Sequence, residues 1–108
     1  MNETVVETTD QWSLYLIRCG DGSLYTGIST DVSRRFKEHE NTDNRNLGAK
    51  ALRGKNPLAI AYQIRVGNRS QASKLEYKIK QLKKSDKERL IEQRPLAENI
   101  QCWLEGLS

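Results

Sequence analysis

The two runs Trp12-Ser-Leu-Tyr-Leu-Ile-Arg-Cys19 and Leu24-Tyr-Thr-Gly-Ile28, joined through Gly20-Asp21-Gly22, decide the fold. The first mixes aromatic, branched and aliphatic residues on both pleat faces, the second is short, and the glycine-rich link has hairpin turn chemistry. Working outward, Ser29, Thr30 and Asp31 are all good N-caps, and Val32 and Phe36 share one helical face, so a helix is expected from roughly Val32 to Glu40. A polar loop, Asn41 to Asn46, and a weakly helical stretch, Leu47 to Leu52, lead to Gly54 and Pro57. Leu58, Ile60, Tyr62, Ile64 and Val66 then alternate with smaller or polar residues, the period of a third strand. Gly67-Asn68 turns the chain. Ser70 is expected to cap a long helix striped by Ala72, Leu75, Ile79 and Leu82. Ser85-Asp-Lys-Glu88 reads as a capping box for another helix, which contains Leu90 and Ile91 and ends at Pro95. Ile100, Trp103, Leu104 and Leu107 recur at helical spacing in a last segment. The order ββαβαα plus a tail helix predicts an α/β (α+β) domain with a small three-stranded sheet flanked by helices.

The chain has 108 residues, enough for one compact domain, and 30% of them are charged. No run approaches the ~20 apolar residues of a membrane span, and the acidic N-terminus does not read as a signal peptide, so a cytoplasmic protein with no membrane partner is expected. Residues 1–11 are read as a flexible tail, residues 12–94 as the main domain, and residues 95–108 as a helical tail packed on it. The two cysteines, Cys19 and Cys102, lie far apart without a C-x-x-C partner. They support neither a disulfide framework nor a zinc site, and both are expected to be buried thiols. The net charge of +4 is unevenly spread: Arg45 to Lys87 contains twelve Lys or Arg against two acids, Glu76 and Asp86. Such a block points to a polyanion, most commonly nucleic acid, with a solvated lysine-rich helix as the plainer alternative.

Candidate site residues lie along these elements. Tyr15 and Tyr25 flank the hairpin and can share a sheet face, as ordinary packing tyrosines or as functional hydroxyls. Arg35 and His39 are one helical turn apart beside Val32 and Phe36, on what reads as an exposed helix edge if taken alone. Glu76 occurs in mid-helix at the border of the apolar stripe, so its carboxylate is expected to be half buried. It wants a cation, either Lys80 at i+4 or a divalent metal. Asp86 is explained by the helix dipole.

The spacing Tyr15, Tyr25-Thr26-Gly27, Arg35, His39 and Glu76 resembles the GIY-YIG nuclease superfamily. Its two tripeptides appear as Leu14-Tyr15-Leu16 and Tyr25-Thr26-Gly27, which keep the tyrosines and the last glycine. Gly48-Ala-Lys-Ala-Leu-Arg-Gly54 and Glu76-Tyr-Lys-Ile-Lys-Gln-Leu82 are similar to the small stand-alone bacterial YhbQ-like branch. The resemblance covers roughly Trp12 to Leu90 and implies an antiparallel sheet and phosphodiester hydrolysis with one divalent ion, Mg²⁺ or Mn²⁺, and no small-molecule cofactor. It implies Glu76 as the metal ligand, Arg35 as the phosphate holder and Tyr15 as general base, with Tyr25 and His39 in its hydrogen-bond network. Gly27 would allow close approach of backbone or substrate. Asn99 is the one candidate for a late asparagine found in many members, and it lies in a divergent tail.

The leading expectation is therefore a metal-dependent endonuclease acting on DNA, in repair or processing. Lys50, Arg53, Lys55, Lys80 and Lys83 of the basic block would contact the backbone. The rivals are a nucleic-acid-binding module without turnover and a protein-interaction adaptor whose basic helix meets an acidic partner. A lone glutamate at the metal position favours the enzyme, because a pure binder has no use for it.

Overall fold

The computed structural model describes residues 11–40, 52 and 54–107. Its elements are β1 (Trp12–Arg18), β2 (Leu24–Ser29), α1 (Val32–Glu40), β3 (Ala59–Gly67), α2 (Arg69–Lys80), α3 (Lys84–Gln93) and α4 (Ile100–Glu105). The strands form one antiparallel sheet in the order β2-β1-β3. The expected α+β class and the three-stranded sheet are both present. The expectations for residues 1–10, for the loop from 41 to 46, for most of the stretch from 47 to 52, and for Lys50 and Arg53 lie outside the described residues.

β1 is apolar on both faces because it is the central strand and each face carries its own core. Leu14 and Leu16 point to one side, where Tyr62, Leu75, Ile79, Leu90 and Ile100 bury them beneath α2, α3 and α4. Tyr15 and Ile17 point to the other, packed with Cys19, Val32, Leu52 and Leu58 and edged by Tyr25 and Phe36. Alternation along one strand thus separates two clusters, as the two-residue side-chain period requires. The hairpin link closes through Cys19 N–H to Ser23 O at 2.9 Å, with Gly22 at φ +88, a conformation glycine adopts without a Cβ penalty. Arg18 at the end of β1 donates two hydrogen bonds to Glu88 of α3, at 2.6 and 2.7 Å, which ties the strand to the helical layer.

Three local expectations are corrected. α2 is capped by Asn68, not Ser70: the Asn68 side chain accepts from Gln71 N–H at 2.8 Å, and the Gln71 side chain accepts from Asn68 N–H at 2.9 Å. The Ser85-Asp-Lys-Glu88 box does not form, because Arg18 holds both Glu88 oxygens; α3 starts at Lys84, with Lys83 as an N-cap that makes no side-chain hydrogen bond. Cys19 is buried, but Cys102 is exposed on α4. Among the described residues no helix is long and apolar enough to cross a membrane.

Thr26 points from β2 into the layer under α2, opposite Leu16, and its buried hydroxyl has no hydrogen-bond partner among the described residues. A buried hydroxyl without a partner costs about 1–3 kcal/mol. Thr26→Val keeps the shape and removes the orphan, so it is expected to stabilise the fold by about 1 kcal/mol, read as a higher urea midpoint at unchanged m. A lower midpoint would show that the hydroxyl is satisfied.

Candidate active site

The site is assembled on the Tyr15 face of the sheet. Tyr15 lies directly opposite Gly27 in the β1–β2 register, and a Cβ on Gly27 would come within 2.5 Å of the Tyr15 hydroxyl oxygen. Gly27 is therefore the space the ring occupies: the close approach expected at this glycine is that of Tyr15 itself. Tyr25 stands two residues along β2 on the same face, its ring centroid 6.5 Å from that of Tyr15. Asp31 starts α1 by accepting from Arg34 N–H at 3.1 Å, and Val32 and Phe36 seat the helix against the sheet.

That seating turns His39 inward. It is fully buried, not on an exposed edge, and its Nε2 lies 3.0 Å from the Tyr15 hydroxyl. Its ring also meets Tyr25 edge-on at 5.4 Å. Burial, aided by the Arg35 charge, pushes the imidazole down from 6.5 to about 4, so it is neutral at neutral pH. Burial, then the neighbouring Tyr25, pushes the Tyr15 hydroxyl up to about 12, against the pull of the Arg35 charge and hydrogen bond. With Tyr15 protonated and the imidazole proton on Nδ1, the hydroxyl donates to Nε2.

Arg35 sits half-buried at the rim and also donates to Glu38 at 2.8 Å. Glu38 takes a second hydrogen bond from Arg34, at 2.7 Å. Sequence reasoning passed over Glu38, although i+3 from one arginine and i+4 from the other is a legible signal. Glu76 is half-buried on α2, which packs along β2, and its charge is among the causes that raise Tyr15. Tyr15, Tyr25, Arg35, His39 and Glu76 thus form one electrostatic neighbourhood, with Lys80 Nζ 3.3 Å from Glu76.

The remaining candidates are more scattered. Lys55 is held at the hairpin turn, 3.4 Å from Asp21, and Lys83 is exposed where α3 begins. Asn99 precedes α4, whose Ile100 belongs to the core on the opposite face, so it does not join the Tyr15 cluster. The departure of the tail from the family pattern is thus matched by its position.

Residues 11–89 match the GIY-YIG catalytic domain. The chain belongs to the GIY-YIG family, a family of nucleases. The matched span contains all five clustered residues and ends before Asn99. Among known proteins the chain is similar to UPF0213 protein YhbQ of Salmonella typhimurium, 53% identical over 89 residues, 82% of this chain and 85% of that protein. It is also similar to a UPF0213 protein of Cronobacter sakazakii, 54% identical over 82 residues, 76% and 82% of the two chains. The solution NMR structure of a UPF0213 protein from Bacillus halodurans aligns with a TM-score of 0.47 at 34% identity, over 75% of this chain and 82% of that one.

Two outcomes follow from the packing. Gly27→Ala leaves the ring of Tyr15 no room, so it should destabilise the fold by about 1–3 kcal/mol. It should also disturb the Tyr15–His39 hydrogen bond, visible as a displaced histidine ring resonance; an unshifted resonance with native melting would refute the close approach. His39 is the chain's one histidine. Because its value is about 4 when folded and 6.5 when unfolded, only the unfolded chain gains a proton as pH falls between them, so stability held above 6.5 drains away toward 4. His39→Gln should flatten the urea midpoint between pH 7 and pH 5; an equal loss in both proteins would show that His39 titrates normally.

Proposed function

We propose that the protein is a divalent-metal-dependent endonuclease that hydrolyses phosphodiester bonds in DNA, serving repair or processing. The observation that carries this reading is the Tyr15 hydroxyl bonded to a neutral buried imidazole beside an arginine, with the half-buried Glu76 charge of α2 felt at the same hydroxyl. A packing tyrosine needs one hydrogen-bond partner; it has no need of a guanidinium beside that partner.

Glu76 offers a single carboxylate, and no group of three or more His, Cys, Asp or Glu gathers among the described residues. One carboxylate suits a hard cation such as Mg²⁺ or Mn²⁺, which keeps waters and phosphate oxygens as its other ligands. Lys80 holds that carboxylate only through an i,i+4 pair worth a few tenths of a kcal/mol, so it yields easily. When bound there, the ion would supply Lewis-acid chemistry, polarising the phosphoryl group and stabilising the leaving oxygen.

The protein's own groups do the rest. Arg35 presents a planar fork of donors to the phosphate oxygens, where negative charge grows in the transition state. Tyr15 is not a free phenolate base: moving its proton to His39 spans the gap between about 12 and about 4, of order 10 kcal/mol. In the substrate-free site His39 instead fixes the Tyr15 rotamer and leaves the oxygen's lone pairs to orient the attacking water. Arg35 lowers the Tyr15 and His39 values alike, so it favours release of the Tyr15 proton without making His39 a better acceptor, and the site holds the water-orienting hydroxyl in its neutral form.

Single-turnover cleavage of labelled DNA in Mg²⁺, Mn²⁺ or EDTA tests the reading. Cleavage should require the metal. Arg35→Ala should slow it by roughly 10²–10³ with near-native melting, and Arg35→Lys should rescue poorly because a point charge replaces a fork. Tyr15→Phe keeps the ring and should collapse the rate; Glu76→Ala should abolish cleavage while DNA binding persists. Cleavage at wild-type rates in these variants, or in EDTA, would overturn the assignment.

A further inference from the structure

Among the described residues, the hydrophobic cluster on the Tyr15 face of the sheet occupies only its β1–β2 half. That cluster is built from β1, α1 and the stretch through Leu52 and Leu58, edged by Tyr25 and Phe36, and takes no side chain from β3. Register places Gln63 beside Tyr15 and Arg65 beside Ser13, on that same face, and both β3 residues are exposed. A depression of about 450 Å³ opens along β3, lined by Ser13, residues 60–65 of that strand and Arg94, which comes round the β3 edge from α3 on the opposite face. Diagonal cross-strand positions are about 7–8 Å apart, which makes Arg65 a diagonal neighbour of Tyr15 across β1, while the Tyr15 ring itself leans the other way, over Gly27 of β2.

Charge decides what this surface can receive. Neither Arg65 nor Arg94 has a carboxylate partner among the described residues, a property shared with several lysines of α2 and α3, and these two are the cations that line the depression. Arg94 is also the left-handed C-cap of α3, at φ 49, a position where glycine is cheapest. A cation is kept there against the backbone's preference.

Building on the nuclease reading, we propose that the β3 half of this sheet face is a phosphate track continuous with the active site. Arg65 and Arg94 grip the backbone of the DNA strand whose scissile phosphate lies at Arg35 and Tyr15. The Ser13 hydroxyl and the Gln63 amide supply neutral hydrogen bonds along the way. The track runs across the sheet from α1 toward the free edge of β3, so the substrate lies over the sheet face instead of along the lysine-rich α2.

The test is fluorescence anisotropy of a labelled DNA oligonucleotide, as duplex and as single strand, in EDTA across a salt series. Arg65→Gln and Arg94→Gly should each weaken binding several-fold and reduce the salt slope by about 0.9 on duplex or about 0.7 on single strand, the loss of one phosphate contact. Arg94→Gly should at the same time raise the melting temperature by a few degrees, because it relieves the left-handed backbone. This separates lost contact from lost fold. Arg89→Gln, an ion-paired arginine elsewhere on α3, should change neither binding nor cleavage. Wild-type slopes in both variants, or an equal loss in Arg89→Gln, overturn the track. If the wild type cleaves DNA while Arg65→Gln and Arg94→Gly bind normally, the track fails and the nuclease stands. If the two variants lose their slopes but no metal restores cleavage to the wild type, the track stands and the nuclease reading fails.

Discussion

The site depends on one constraint: Tyr15 lies flat across Gly27 with its hydroxyl sealed against His39. A glycine at that point of β2 admits the ring, and the ring's depth places the hydroxyl within hydrogen-bond reach of His39, turned inward from α1. His39 meets it because Val32 and Phe36, two turns and one turn earlier on α1, anchor the same helical face to the sheet. The packing that stabilises the hairpin therefore also aligns the reactive groups. Changing any of the three alters both fold and site.

Burial has an electrostatic consequence that the identity of the residues alone does not reveal. It makes the tyrosine harder to deprotonate and the histidine harder to protonate, so the pair rests with one proton between two oppositely shifted groups. A surface Tyr–His pair would have ordinary values, and water would compete for its hydrogen bond. Here the resting state is a neutral hydrogen bond. Arg35 favours loss of the Tyr15 proton but opposes its arrival on His39, and Glu76 opposes the loss, so the rim charges leave the pair neutral.

How much of this is legible in the sequence follows from the range of the interactions involved. The hairpin, the α1 span and the alternation of β3 rest on local patterning, and β3 falls within one residue of where Leu58 to Val66 places it. The helix starts were misplaced because capping is decided by competition: Asn68 with Gln71 outbids Ser70, and Arg18, seventy residues from Glu88, removes the carboxylate a local box would need. Cys102 resembles Cys19 in composition and differs only in where its helix face points. At the site, the Tyr15–Gly27 pairing and the inward turn of His39 belong to the register and to helix docking, so the residue types could be picked out but not their depth. Arg65 and Arg94 sit in no motif; what distinguishes them is the depression along β3 that both line.

Glu38 bears on the phosphate contact proposed for Arg35, because it holds that arginine by a bond a phosphate could displace. Arg34 and Arg35 share its two carboxylate oxygens, at 2.7 and 2.8 Å, on a partly exposed turn. Pairs of this kind contribute only about 0.3–0.5 kcal/mol each, because water screens them and two long side chains lose freedom. They are strong enough to bias the Arg35 rotamer toward the sheet and weak enough for a phosphate, which accepts a bidentate fork from the same guanidinium, to displace them. Arg34 keeps Glu38 compensated when Arg35 turns to substrate, so the exchange leaves no bare carboxylate at the rim. A single arginine facing a single glutamate would lack that reserve, and each substrate phosphate would have to break an ion pair outright.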